Sequence, residues 1–353
     1  MPDAEDLSMA TAELASATPL MPALGPTTQE PAASARVARE RLVEWLLLAA
    51  AIFSGGVVLL VIVFVTWGSL PAWRHMGLGF LTGTGWDSGI VDAYQKGTWS
   101  IGALPLVVGT LLTTAGSVVT AAVLGMGCAL FLAFLAPEWV ARPVQAVVRL
   151  LSGIPSVVFG LIGLTVVVPW IQRAFIPQSL ANKYSDIGLT GESLLAGIIV
   201  LTFMILPFFV TVATDSLRAI PDSYRLGGLA LGLNNWRAIT RLTIPPAFPG
   251  LVAGLTLAAA RAIGEAIAIS MVAGALGHIP GLQHGLVFFL EPIRTLASAI
   301  VENGEGMDSP QVYASAFALA TILLVFSLCL SLAARAAFGA FAKRMRLVSD
   351  RTA

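Results

Sequence analysis

The chain has 353 residues, is 57% hydrophobic and only 11% charged, and has a mean hydropathy of +0.85. Soluble domains carry about 25% charged residues, so this composition belongs to a membrane protein. A formal net charge of zero leaves no bulk electrostatic footprint for nucleic acid, and two cysteines in apolar runs, Cys128 and Cys329, make no disulfide framework.

Residues 1–40 are rich in Ala, Pro, Ser and Thr, carry early acids (Asp3, Glu5, Asp6) and lack a basic segment before a short apolar core. They read as a disordered cytoplasmic tail rather than a cleaved signal. Six apolar runs follow, at about 43–69, 103–135, 145–171, 193–215, 248–276 and 312–338. Each is long enough to cross ~30 Å of hydrocarbon, and continuous apolar runs without alternation specify helices. The expected fold is therefore an all-α membrane protein with six transmembrane helices. A first helix and its external loop occupy 41–102, a transport domain 103–340, and a basic tail 341–353.

The basic residues set an orientation. With the N-terminus inside, fourteen of the twenty Lys and Arg residues fall on the cytoplasmic side, five outside, and Arg261 within a span. That bias puts both termini in the cytoplasm. Trp45, Trp67, Trp73, Trp139 and Trp170 lie near span ends, as an aromatic belt would.

No covalent chemistry is legible. None of the three lysines completes a phosphate-binding loop, and no G-x-S-x-G elbow occurs. His278 and His284 share an external loop at six-residue spacing without a third obvious ligand, and read as solvated loop histidines rather than a metal site.

The longest inside loop, 216–247, is too apolar for a linker. Leu226, Leu229, Leu231, Ile239 and Leu242 can form apolar faces on short helices, interrupted by Gly227, Gly228 and Gly232. Pro245, Pro246 and Pro249 are expected to stop helix before the next span. The loop either presents a helix-turn-helix knob to a partner or packs on its own spans.

The fifth run holds Arg261 and Glu265. Each charge costs roughly 2.5–3.5 kcal/mol at mid-bilayer on insertion scales, so each needs a reason. On a continuous helix they lie one turn apart on one face, beside a stripe of small residues, Gly250, Gly254, Ala258, Ala262 and Ala266. Either Arg261 lines a translocation path, its fork matched to phosphate-like oxygens with Glu265 as a competing partner, or the two form a structural lock. Ser156 follows Pro155, which either opens a cavity by breaking a helix or makes an ordinary kink. Gly160 and Gly163 read as packing contacts. Thr110, Thr113 and Thr114 can line a pore or bond their own backbone.

Several of these segments together resemble a known family, the permease subunits of binding-protein-dependent ATP-binding-cassette importers. Their cytoplasmic loop reads E-A-A-x-x-x-G, nine residues, then I-x-L-P. Gly232 matches the glycine, Leu242, Ile244 and Pro245 match I-x-L-P, and Leu226, Gly227 and Gly228 replace E-A-A. "FLTGTGWD" (Phe80–Asp87), "ALPLVVGTLLTT" (Ala103–Thr114), "SGIPSVVFGLIGL" (Ser152–Leu164) and "ARAIGEAIAISMV" (Ala260–Val272) resemble the PstC-type phosphate branch, over about residues 43–340. The resemblance implies a type I importer fold, a five-helix core plus an N-terminal helix, in a bacterial inner membrane. It implies that Leu226, Gly227, Gly228, Leu229, Gly232, Leu242, Ile244 and Pro245 dock an ATPase subunit. It also implies a PstA-type sister permease, two ATPase subunits that carry the ATP and Mg, a periplasmic phosphate-binding protein and lipid as partners. This chain would bind no cofactor and catalyse nothing. A same-architecture permease for molybdate, sulfate or phosphonate is the nearer alternative. A secondary transporter using Glu265 as proton carrier is the farther one, and the chain shows no internal repeat of the kind such transporters carry.

Overall fold

The structure is a computed structural model. It describes residues 30–304 and 308–349, with side chains from 41 to 336 outside the gap at 305–307. The sequence reading of residues 1–29 as tail lies outside the described residues.

Among the described residues, six helices are long and apolar enough to cross a membrane. Helix α1 runs Glu30–Met76, so the stretch from Glu30 to Glu40, expected as tail, is helical. A short helix, α2 (Trp86–Lys96), precedes α3 (Leu104–Leu135), α4 (Glu138–Ser152) and α5 (Ser156–Phe175). Then come α6 (Leu194–Arg218), α7 (Asp222–Ala230), α8 (Asn235–Ile263), α9 (Ile267–Val272), α10 (Leu296–Glu302) and α11 (Pro310–Ser349). The basic segment from 341 thus begins as helix rather than tail.

The chain divides into two units, 1–62 and 63–353. In the first, residues 41–62 are exposed throughout and, after Arg41 and Glu44, predominantly apolar. In the second, α3, α6 and α8 enclose the main core, with Leu201, Met204, Ile205, Phe209, Leu217, Leu251 and Ala258 buried. In a lipid environment close packing, not expulsion of water, must hold such helices together. Small residues provide it. A Cβ built on Gly250 would stand 2.4 Å from Ser216 Oγ, and one on Gly254 would stand 2.8 Å from Val212 Cγ1. The small-residue stripe therefore packs on α6, and that face of α8 is covered by protein, as expected. A second core joins the end of α1 to α2, α10 and α11 through Ala72, Phe80, Trp86, Leu296 and Val312.

Two spans sit elsewhere than the hydropathy placed them. The run 145–171 is two helices, because Gly153, Ile154 and Pro155 break it; Pro155 is extended (ψ 140°) and caps α5. Pro155 is thus a break, not a kink. The fifth span is Asn235–Ile263 rather than 248–276. Pro245, Pro246 and Pro249 do not stop it. A π turn, Ile239–Thr243, precedes them, with Ile244 N–H bonding Ile239 O. The wider turn relieves the clash between a proline ring and the preceding carbonyls, and proline is at home in the first turn of the α segment that follows.

Candidate transport site

Arg261 and Glu265 are not turn-mates on a continuous helix. Helix α8 ends at Ile263, Gly264 caps it by donating its N–H to Ala260 O, and α9 starts at Ile267. Arg261 lies in the last turn of α8, where the carbonyl end of the helix favours a cation. Glu265 lies just ahead of α9, where its Oε1 accepts the Ala268 N–H at 3.1 Å. Each charge is thus matched to its own helix end. Both side chains are half-buried, and Arg261 makes no hydrogen bond or ion pair with any described residue.

The elements around the break are tightly set. A Cβ on Gly160 of α5 would stand 3.0 Å from Ala268 Cα and 2.8 Å from Met271 Sδ, so α5 lies directly on α9. Gly163 meets Val200 and Val272 in the same way, and both glycines are packing contacts as expected. Ser156, half-buried, begins α5 and bonds no described side chain. Thr110 and Thr113 are not pore hydroxyls. Both are buried and bond Leu106 O and Gly109 O at 2.7 Å, and Thr110 Oγ1 also accepts the Leu296 N–H at 2.9 Å.

At one end of the bundle α7 and the start of α8 form a helix-turn-helix. Gly232 makes the turn at φ +83°, a conformation that only glycine adopts freely. Asn234 caps α8 by accepting the Arg237 N–H at 2.8 Å, and Arg225 Nη1 donates to Asn235 Oδ1 at 3.2 Å across the turn. Gly228 is buried: a Cβ there would stand 2.5 Å from Leu242 Cδ1, so Gly228 and Leu242 hold the turn together. Gly227 faces open space, and Ile244 and Pro245 lie in the helix beyond. The outer face is apolar and exposed, with Leu226, Leu229, Leu231, Tyr224 and Trp236. The sequence reading gave Trp236 and Tyr224 no role.

The opposite end carries two polar clusters that sequence reasoning missed. His278 and His284 are not solvated loop histidines. Their Nε2 and Nδ1 donate to Glu291 Oε2 and Oε1 at 2.8 and 2.5 Å, and the Gly281 N–H also bonds Oε2, at 3.0 Å. The Glu291 side chain is fully buried, so these three bonds satisfy a carboxylate that water cannot reach. The two rings hold different oxygens, and among the described residues no three such groups converge on a cation position. In the second cluster, Arg294 Nη1 meets Asp87 Oδ1 at 2.6 Å, its Nε lies 2.7 Å from Glu302 Oε2, and Asp87 Oδ2 accepts the Gly277 N–H at 2.7 Å. Burial pushes the Glu302 carboxyl up; Arg294 opposes this and Asp87 adds to it. The visible signals were Asp87 within the quoted T-G-T-G-W-D stretch and the paired histidines; their partners lie far along the chain or across a loop.

These features define a membrane-spanning component of a transport system. The family of binding-protein-dependent transport system inner membrane components matches residues 121–346, and the chain belongs to it. Membership places it among non-catalytic, multi-pass subunits. It is 34% identical over 292 residues to the phosphate transport system permease protein PstC 1 of Mycobacterium tuberculosis, covering 76% of this chain and 83% of that one. It is 42% identical over 195 residues to the probable ABC transporter permease protein YqgH of Bacillus subtilis, covering 55% of this chain and 58% of that protein's length. The fold is shared with a bacterial ABC transporter involved in the import of alginate (TM-score 0.50, 16% identity, 85% of this chain and 98% of that one).

Proposed function

We propose that this chain forms one half of the transmembrane pathway of an ATP-driven, binding-protein-dependent phosphate importer. The observation that carries the reading is Arg261: a permanent cation, half-buried at a helix break and, among the described residues, without a hydrogen-bond or ion-pair partner for its side chain. A guanidinium so placed offers its fork to a phosphate oxyanion. The extent of similarity to phosphate permeases supports the same substrate. Glu265, across the break, keeps the site from holding phosphate too tightly, and Ser156 opens the neighbouring helix.

Both termini lie in the cytoplasm. The α7–α8 turn docks there on an ATPase subunit through Leu226, Leu229, Leu231 and Trp236. A sister permease, two ATPase subunits and an external phosphate-binding protein complete the system. ATP-driven movement of the docking turn passes along α8, which runs without interruption from that turn to the break at Gly264.

The test is phosphate uptake by the assembled importer in liposomes, with molybdate, sulfate and phosphonate as competitors. Uptake should need ATP and fall at least about tenfold in both Arg261→Lys and Arg261→Ala, because Lys lacks the bidentate fork. Full uptake by both variants, with assembly intact, would end the pathway role. Preference for a competitor would reassign the substrate.

A further inference from the structure

Helix α4 has no place in the transport reading, yet its surface is ordered in three parts. At 100° per residue, Trp139, Pro143, Ala146 and Leu150 fall within one sector of about 60°. All four are exposed, Trp139 at 79% and Leu150 at 74%. Arg142 and Arg149 share the adjoining flank and are exposed too. The far side, with Ala141, Val144, Gln145 and Val148, faces the protein, where Ala141 packs with Leu132 and Val210. Arg218 fixes the helix there, donating to Gln145 Oε1 at 3.3 Å and Leu132 O at 2.7 Å.

The place of α4 in the chain decides what its outer side meets. Its fifteen residues give about 22 Å of helix, too short to span, and it carries Glu138, Arg142 and Arg149. It joins α3 to α5, two consecutive spans, so it sits at one face of the membrane. A tryptophan and a leucine on one stripe with arginines beside them suit the boundary between acyl chains and headgroups. Arg142 also pairs with Glu138, but both are exposed, and such a pair exchanges readily for another anion.

We infer that α4 is an interfacial helix that binds anionic lipid, with Trp139 and Leu150 in the acyl boundary and Arg142 and Arg149 on headgroup phosphates. Two measurements on the assembled importer test this. In a Cys128→Ala, Cys329→Ala background, Leu150→Cys labelled with bimane should be quenched several-fold more by doxyl lipids than by aqueous iodide. Equal or stronger iodide quenching, or shielding from both quenchers by a protein partner, would overturn the membrane contact. In vesicles of phosphatidylcholine with stepped fractions of phosphatidylglycerol, uptake should rise about threefold with the anionic lipid, and Arg142→Gln/Arg149→Gln should flatten that response. An unchanged response in the double variant, or none in the parent, would overturn the anionic preference.

Discussion

Arg261 and Glu265, four positions apart, stand on opposite sides of a helix break, each at the helix end whose dipole suits its charge. The break removes the geometry of an i,i+4 pair, and among the described residues the guanidinium has no ion-pair partner. A double-mutant cycle of Arg261→Gln and Glu265→Gln on the thermal stability of the assembled complex should therefore give a coupling below about 0.5 kcal/mol. A direct ion pair would give a clearly larger value.

Glu302 makes stability depend on pH. Burial raises its folded-state carboxyl above the ordinary value. Its contribution is then fully present below the unfolded value near pH 4.3 and is lost as pH rises through the folded value. Thermal melts should show stability falling with rising pH in that window. Glu302→Gln should flatten this part of the profile and leave the Asp87–Arg294 pair in place.

The histidine clamp on Glu291 should be worth several hydrogen bonds. Glu291→Ala removes the acceptor for both rings and the Gly281 N–H, and should cost about 3–5 kcal/mol. His278→Ala or His284→Ala should each cost less, about 1–3 kcal/mol, since Gly281 and the other ring remain. Denaturation of the purified complex gives all three values.

Two glycines separate packing from turn geometry. A Cβ at Gly109 would stand 2.3 Å from the Arg294 carbonyl oxygen, so Gly109→Ala forces backbone apart and should cost about 1–3 kcal/mol in the same assay. Gly232 has nothing within 4 Å but a φ of +83°. Gly232→Ala should cost about 1 kcal/mol and be read chiefly as reduced coupling of ATP hydrolysis to uptake.

The exposed apolar side of the α7–α8 turn, proposed to dock an ATPase subunit, makes a simpler prediction. Leu231 is 86% exposed, so its side chain has little to lose inside the chain. Leu231→Asp should leave the melting temperature of the isolated subunit unchanged and weaken recovery of the ATPase subunit in pull-down several-fold. Unaltered recovery would place docking elsewhere.

The sequence by itself determined the class of fold, because runs of apolar residues in a bilayer have no alternative to helix. It determined the helix-turn-helix around Gly232 as well, because a glycine between two short runs of helical period is a local signal. It also marked Arg261 and Glu265 as costly. What only the tertiary structure decided was their relation, since hydropathy continues across Gly264 while the backbone does not. The prolines at 245 and 246 likewise read as a stop until a π turn accommodated them. The Arg294 cluster stayed hidden because packing brings Asp87 to it from far along the chain, and the Glu291 cluster because a loop has to fold two histidines onto one buried carboxylate. A buried carboxylate declares itself only when its partners are in place.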